Sequence, residues 1–341
     1  MQNLLKEGPL LNEDGNLDEA GYAFSLVKKY ERSKIKAKKS RIKEWDYYYI
    51  GNNEKGIALT IDDNSYMGLA SVSILDFNKK SYITKSTMRA FTKGKIGLPE
   101  SSVEGITYWN HGGYELKFEN DGSKRILDAV VINYHENKPF KCHFELKENN
   151  EGSMVIATPF DKPKHFYYNQ KINCMIAEGY YEFGDERYEF KSDVSRAVLD
   201  WGRGVWTYKN TWYWSSLSAV SNGKEVGFNL GYGFGDTSNA SENMLFYEGK
   251  AHKLNDVSFN CPKDEKGKYL YEDKWTFTSS DESINLEFEP IVDRKDITDV
   301  LIIKSIQHQV FGRFNGTIKT GDVTAEIKDA VGFAEIVTNH W

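Results

Sequence analysis

Glu225–Phe234 reads EVGFNLGYGF. Val226, Phe228, Leu230, Tyr232 and Phe234 fall on one side of an extended chain, because successive side chains of a strand alternate. Gly227, Asn229, Gly231 and Gly233 fall on the other. A helix would scatter the same positions around its circumference. Glycine repeated along one face lets a strand coil strongly and lets a second backbone or a ligand come close. The stretch predicts a strand in a curved, barrel-like wall.

The same period of two recurs outward from this strand. In PFKCHFEL (139–146), Phe140, Cys142, Phe144 and Leu146 share one face, while Lys141, His143 and Glu145 share the other. After the turn residues ENNEG, SMVIATPF (153–160) is its predicted hairpin partner. Tight hairpins are also predicted at Asp121-Gly122 and at Gly184-Asp185. One short helix is predicted from Asp18 to about Lys29, with Asp18 as cap and Ala20, Phe24 and Val27 near helical spacing. An aromatic content of 14% favours strands further. Many short strands with almost no crossover helices give an all-β, antiparallel fold.

A chain of 341 residues exceeds one typical core of about 100–200 residues. KEWDYYYIGNNEKGIALTI (43–61) and NTWYWSSLSAVSNGKEVGFNL (210–230) loosely repeat one plan: a Trp-rich strand, a polar glycine turn and an alternating strand. Two successive antiparallel β-barrels are therefore expected, over 1–175 and 176–341, with the short helical segment at the N-terminus.

Composition excludes several classes. The opening MQNLLKEGPLLNEDG lacks the long apolar run of a signal peptide, and no window reaches the roughly 18 apolar residues of a membrane span. Stable membrane insertion is not expected. Cys142, Cys174 and Cys261 are odd in number and lack a CxxC pairing, so neither disulfides nor zinc are expected, and the cytoplasm is the default location. Lys28–Lys43 holds nine basic residues against Glu31, but the chain as a whole carries −6. An acidic remainder would repel a polyanion, so a solvated edge segment is preferred over a nucleic-acid contact. The seven histidines show no metal-ligand spacing, and no nucleotide fingerprint stands before a helix. Neither a metal nor any other cofactor is expected, and no feature bears on oligomeric state.

What remains is DWGRGVWTYKNTWYWSSLSA (200–219), with four tryptophans around Asp200 and Arg203. An aromatic-lined pocket and a solid aromatic core both fit this composition. As a pocket it would take a lipid- or terpenoid-like molecule, held without chemistry or hydrated, isomerised or cyclised by acid catalysis. A desolvated Asp200 is the candidate acid, and Trp206, Trp212 and Trp214 would face a developing carbocation. Arg203 would oppose protonation of a nearby Asp200, so a structural ion pair is the competing reading. Residues three apart on a strand point to opposite faces, and direct pairing would need a bend at Gly202 or Gly204. A carbohydrate-active protein is the third reading. It would stack sugars on the rings and use two of Asp200, Glu242 and Glu335.

Three pieces carry a resemblance: EWDYYYI (44–50), SRAVLDWGRGVW (195–206) and HQVFGRFNGTI with GFAEIVTNHW (308–318 and 332–341). In these the chain resembles the bacterial family named domain of unknown function 2804. More distantly it is similar to carotenoid hydratases of the hydroxyneurosporene synthase type and related lipocalin-like cyclases. The resemblance implies that the two are tandem lipocalin-like (calycin-type) β-barrels, with a pocket at or between them. It also implies that Asp200 matches an aspartate implicated in acid catalysis on an apolar polyene. The following Gly202-Arg203-Gly204 departs from those relatives by introducing a cation. Glu44, Trp45, Arg203, Trp206, Trp212, Trp214, His308 and Trp341 complete the expected ligand-contact set.

Overall fold

The computed structural model describes residues 2–300 and 303–340. Two short strands, β1 (Gly8–Pro9) and β3 (Lys28–Lys29), pair in parallel, and β2 (Gly21–Ala23) lies between them in sequence. The first large sheet continues through β4 (Ile42–Gly51), β5 (Lys55–Asp63), β6 (Met67–Asp76), β7 (Ser81–Ala90), β8 (Glu104–His111), β9 (Tyr114–Asp121) and β10 (Arg125–His135). It is completed by β11 (Lys138–Lys147), β12 (Met154–Pro159), β13 (Phe166–Phe183), β14 (Glu186–Phe190) and β15 (Arg196–Val205). Its spatial order is β7-β6-β5-β4-β15-β13-β11-β10-β9-β8, a nearly closed antiparallel barrel. The Tyr134 hydroxyl helps to close the seam, 2.6 Å from the Ile83 carbonyl and 3.2 Å from that of Val72.

The second sheet holds β16 (Lys209–Ser221), β17 (Lys224–Tyr232), β18 (Met244–Tyr247), β19 (Lys250–Lys253), β20 (Ser258–Asn260) and β21 (Trp275–Thr278). Its long strands are β22 (Ile284–Val300), β23 (Ile303–Thr320) and β24 (Val323–His340). Their order is β19-β18-β17-β16-β24-β23-β22-β21-β20, a half-barrel. The chain passes from one sheet to the other at Trp206–Tyr208, between β15 and β16. The expected division at 175/176 falls inside β13, whose second half pairs with β11. No helix among the described residues is long and apolar enough to cross a membrane.

Two expectations are corrected. The segment Asp18–Lys29 is not a helix. The Tyr22 backbone bonds Asn3 and Leu5, and β2 pairs with β12, so its amides are used laterally rather than four residues back. Nor do β11 and β12 form a hairpin. They lie end to end along the 18-residue β13, with Leu146 opposite Ala177 and Met154 opposite Lys171. The hairpins at Asp121-Gly122 and Gly184-Asp185 form as expected.

Alternation sorts the side chains into an interior and an interface. Along β4, Tyr48 and Ile50 face the barrel core, while Tyr47 and Tyr49 belong to an aromatic cluster shared with Trp214, Phe311 and Phe333 of the second sheet. Along β15, Ala197, Leu199, Trp201 and Val205 face inward and Val198 faces the second sheet. All ten residues of β15 are buried, so both of its faces are covered. A bulge in β13 fastens the sheets together. Asn173 donates to Ser216 Oγ (2.8 Å) and the Phe228 carbonyl (3.1 Å), and the Cys174 amide donates to Ser218 Oγ (3.0 Å). Arg196 of β15 adds an ion pair to Glu225 of β17 at 2.8 Å.

Gly202 shows how tightly these faces meet. It lies opposite Trp45, and a Cβ added there would sit 1.9 Å from the indole. Gly202→Ala is expected to cost about 1–3 kcal/mol through overpacking. Most of that cost should vanish when Trp45→Ala is already present. Denaturant unfolding of the four proteins in this cycle checks the coupling, and additive effects would contradict it.

Candidate functional site

The outward faces of the two sheets leave a cavity of about 560 Å³ between them. Register explains its two main walls. On the first sheet one ladder row runs Lys171, Asp200, Tyr47, Thr60, Ser71, Ser86 across neighbouring strands. On the second sheet a row runs Trp214, Glu335, Gln309, Arg294. All ten of these residues line the cavity.

One end is walled by rings. Trp45 stacks on Tyr167 with centroids 6.0 Å apart and meets Trp206 edge-on at 5.2 Å. Phe234 meets Tyr167, Trp206 and Trp212 edge-on at 4.8, 4.9 and 5.3 Å. Such edge contacts suit the ring quadrupoles and hold the rings rigidly. The opposite end carries hydroxyl and amide groups, including Thr60, Ser71, Thr84, Ser86 and Gln307. The cavity is therefore amphipathic along its length.

The charges concentrate beside Trp214. Lys171 Nζ lies 2.8 Å from Asp200 Oδ2 and 3.8 Å from the centroid of the Trp214 ring. Asn169 donates to Asp200 Oδ1 at 2.6 Å. Glu335 accepts from Trp212 Nε1 at 2.7 Å and from Gln309 Nε2 at 3.0 Å. Burial raises its pKa above the usual carboxylate value. The Trp212 bond and the charges of Arg294 and Lys171 oppose that rise, while Asp200 adds to it. Glu242 is also raised by burial, against Lys171, Asn229 and Lys253 and with Asp200. Its carboxylate occupies the space that Gly231 leaves, where a Cβ would lie 2.6 Å from Oε1. The glycine face of β17 thus admits a side chain of the protein itself.

Two further groups sit in this environment. Burial raises Asp62 from 3.8 to about 7, with Lys43 pulling it down. Burial also lowers Lys253 to about 7, although its Nζ donates to Ser241 Oγ and to the carbonyls of Asn243 and Leu254, each at 2.8 Å. Several polar atoms of the lining lack a hydrogen-bond partner among the described residues: Asp62 Oδ1, Tyr47 Oη, Gln309 Oε1 and Asn339 Nδ2. Buried polar atoms are nearly always satisfied, so such a cluster in one cavity marks a place for a polar ligand group or water.

The sequence candidates divide cleanly. Asp200, Glu242, Glu335, Trp45, Trp206, Trp212 and Trp214 converge on the cavity. Glu44 does not. It faces the other side of β4, where it accepts from Tyr30 Oη at 2.7 Å and pairs with Arg32. Arg32 is thereby latched onto the barrel, while Lys29, Lys34, Lys36, Lys38 and Lys39 of the basic segment are exposed.

Arg203 also points away, into the barrel. It pairs with Asp46 at 3.0 Å and donates to the carbonyls of Trp45, Gly202 and Pro99. Asp200 and Arg203 keep to opposite faces with no bend, so the anticipated pair between them is replaced by Lys171–Asp200. His308 lies on the other face of β23, opposite Ile336, bonded to Asp293 at 2.7 Å and stacked on Tyr271 at 3.8 Å. Trp341 lies outside the described residues.

Sequence reasoning missed Lys171, Asp62, Gln309 and Arg294. Lys171 carried a usable signal, since a lone lysine in the aromatic and apolar run FYYNQKINCM requires a buried partner. The other three sit in ordinary alternating strands and give no such sign.

The chain belongs to the family described as Domain of unknown function (DUF2804), whose model matches residues 1–341. No curated protein matches it in sequence. Similar solved structures include kievitone hydratase from Nectria haematococca, at 14% identity and TM-score 0.53, covering 99% of this chain and 98% of that one. An AttH-type protein from Nitrosomonas europaea matches at 12% identity and TM-score 0.54, covering 87% of this chain and 92% of the other. At these identities the likeness is one of fold.

Asp62 yields a pH prediction. Its folded pKa of about 7 stands above the unfolded 3.8, so the native state keeps a proton that the unfolded chain releases between these values. Its contribution is fully present below about pH 4 and lost as pH rises through about 7. Asp62→Asn lacks this loss. Relative to wild type, the variant should gain in urea midpoint between pH 4 and pH 7.5; a difference independent of pH would contradict the assignment.

Proposed function

We propose that the protein binds a hydrophobic small molecule in the cavity between its sheets and adds water to it, or removes water from it, by acid catalysis. One observation carries the reading: a single cavity of about 560 Å³ combines a ring-lined end with buried Glu242 and Glu335, whose protonated forms burial favours. That volume falls within the roughly 300–1,000 Å³ typical of small-molecule sites. The unsatisfied polar atoms would orient the ligand through its own hydroxyl or carbonyl groups. A hydratase among the structures of similar fold supports the choice of reaction as analogy alone.

Protonating a carbon–carbon double bond requires a carboxylic acid that holds its proton more firmly than a free carboxylate does, and burial moves Glu335 in that direction. In the proposed step, Glu335 gives its proton to one alkene carbon. The π-electron pair forms the new C–H bond, and the adjacent carbon becomes cationic beside the ring faces. A water oxygen bonds to that carbon and loses a proton to the Glu242 carboxylate. Return of this proton through water to Glu335 restores the enzyme, and the net change is H and OH across the double bond. Dehydration is the reverse. Asp200 is assigned an electrostatic part, because its two oxygens are committed to Lys171 and Asn169.

A second reading, binding without chemistry, draws on the same unsatisfied wall atoms and needs no acid. Native mass spectrometry of freshly purified protein tests what both share: a retained small molecule is expected. Its absence, together with Trp fluorescence unmoved by a panel of apolar probes, would overturn both. Glu335→Gln separates them. With unsaturated apolar compounds in ¹⁸O-water, catalysis predicts label uptake by wild type and about 10²–10⁴-fold less by the variant, with binding preserved. Label uptake by neither protein would leave binding alone standing.

A further inference from the structure

The ring-lined end of the cavity carries more buried acid than base. Asp200, Glu242 and Glu335 gather there; of the lining cations Lys171, Arg294 and Lys295, Lys171 is already engaged by Asp200 at 2.8 Å. Arg294 is drawn aside, donating to Ser73 Oγ of the first sheet at 2.7 Å. Lys253, behind Glu242, is committed to backbone carbonyls. The groups facing Glu335 are Trp212, Gln309, Arg294, Lys171, Asp200, Tyr47 and Tyr167. Those facing Glu242 are Lys171, Asn229, Asp200, Lys253 and Tyr167. Burial accordingly raises the pKa of both Glu242 and Glu335, favouring proton uptake where the resident cations fall short.

The rings around these acids already host cations. Lys171 Nζ sits over Trp214 at 3.8 Å, and Lys43 Nζ lies 5.4 Å from the Trp206 centroid. Trp45, Trp212, Tyr167 and Phe234 complete the enclosure. Aromatic faces attract a weakly hydrated organic cation, the more strongly when both are desolvated. Flanking carboxylates add charge complementarity without a strongly hydrated ion having to shed its shell.

We propose that this end of the cavity selects ligands bearing a weakly hydrated positive charge on an apolar body, such as an apolar quaternary ammonium, over uncharged molecules of the same shape. The inference rests on the cavity of the preceding subsection and deepens it by naming a ligand class. Bound in the site, such a cation replaces the proton that Glu242 or Glu335 would otherwise hold. Binding is thus coupled to proton release and strengthens as pH rises.

The test compares 4-(trimethylammonio)benzyl alcohol with its uncharged isostere, 4-tert-butylbenzyl alcohol, by Trp fluorescence titration of the full chain. At pH 8 the ammonium compound is expected to bind at least about tenfold more tightly. That advantage should shrink by pH 5, and it should also shrink at pH 8 in Glu242→Gln/Glu335→Gln while the alcohol still binds. Calorimetry in two buffers of different ionisation enthalpy should register proton release with the ammonium compound alone, a readout that needs no variant to fold. Equal or tighter binding of the uncharged alcohol at pH 8 would overturn this inference and leave the cavity reading intact. Silence from both probes would overturn the two together.

Discussion

Burial of both faces of β4, β15 and the first half of β13 is the constraint on which the rest of the molecule depends. An antiparallel sheet commonly packs one face and leaves the other to water. Here the inward residues of these strands fill the first barrel and the outward residues meet the second sheet. Neither face of these stretches is left to water, which is why β15 is buried throughout and aromatic residues crowd adjacent positions in DYYYIG. The interface is stitched by the β13 bulge and the Arg196–Glu225 pair, and it leaves a cavity over the ladder rows that hold Asp200 and Glu335. The cavity is the part of the interface that the side chains leave unfilled.

The electrostatic character of that space follows from its position. Groups in a sheet–sheet interface are shielded from water, so each carboxylate either finds a cation or is pushed towards its protonated form. Asp200 finds Lys171. Glu335 finds neutral donors, from Trp212 and Gln309, and Glu242 shares its surroundings with a lysine that is itself depressed. Shedding such groups in favour of apolar ones would commonly cost a fold nothing. Their gathering in one cavity, with unsatisfied polar atoms beside them, is characteristic of functional sites.

Much of this arrangement was legible in sequence. Period-two alternation in EVGFNLGYGF and PFKCHFEL was enough for antiparallel strands, and dipeptides such as Asp121-Gly122 were enough for hairpins. The clustering of tryptophans in 200–219 pointed to the cavity's aromatic end, and the three candidate carboxylates converge there. The failures share one cause, which is long-range partnership. Apolar spacing in 18–29 resembled a helix because the partners of Tyr22, residues 3 and 5 and strand β12, do not show locally. Likewise β11 and β12 looked like a hairpin because nothing in either announces that both will be laid along β13.

Sequence by itself determined which residues share a face, since alternation is a local property of an extended backbone. It could not determine which face looks into the barrel and which looks at the second sheet, because on doubly buried strands both faces mix apolar and charged residues. That choice separated Trp45 and Asp200 from their neighbours Glu44 and Arg203, sending the first two to the cavity and the others to the barrel interior. Only the tertiary structure decided it, through the closure of the first sheet around Tyr48, Trp201 and their neighbours and the docking of the second sheet on its outside. The Lys171–Asp200 pair arises in the same way, from the register of β13 on β15, which brings together residues 29 positions apart in the chain.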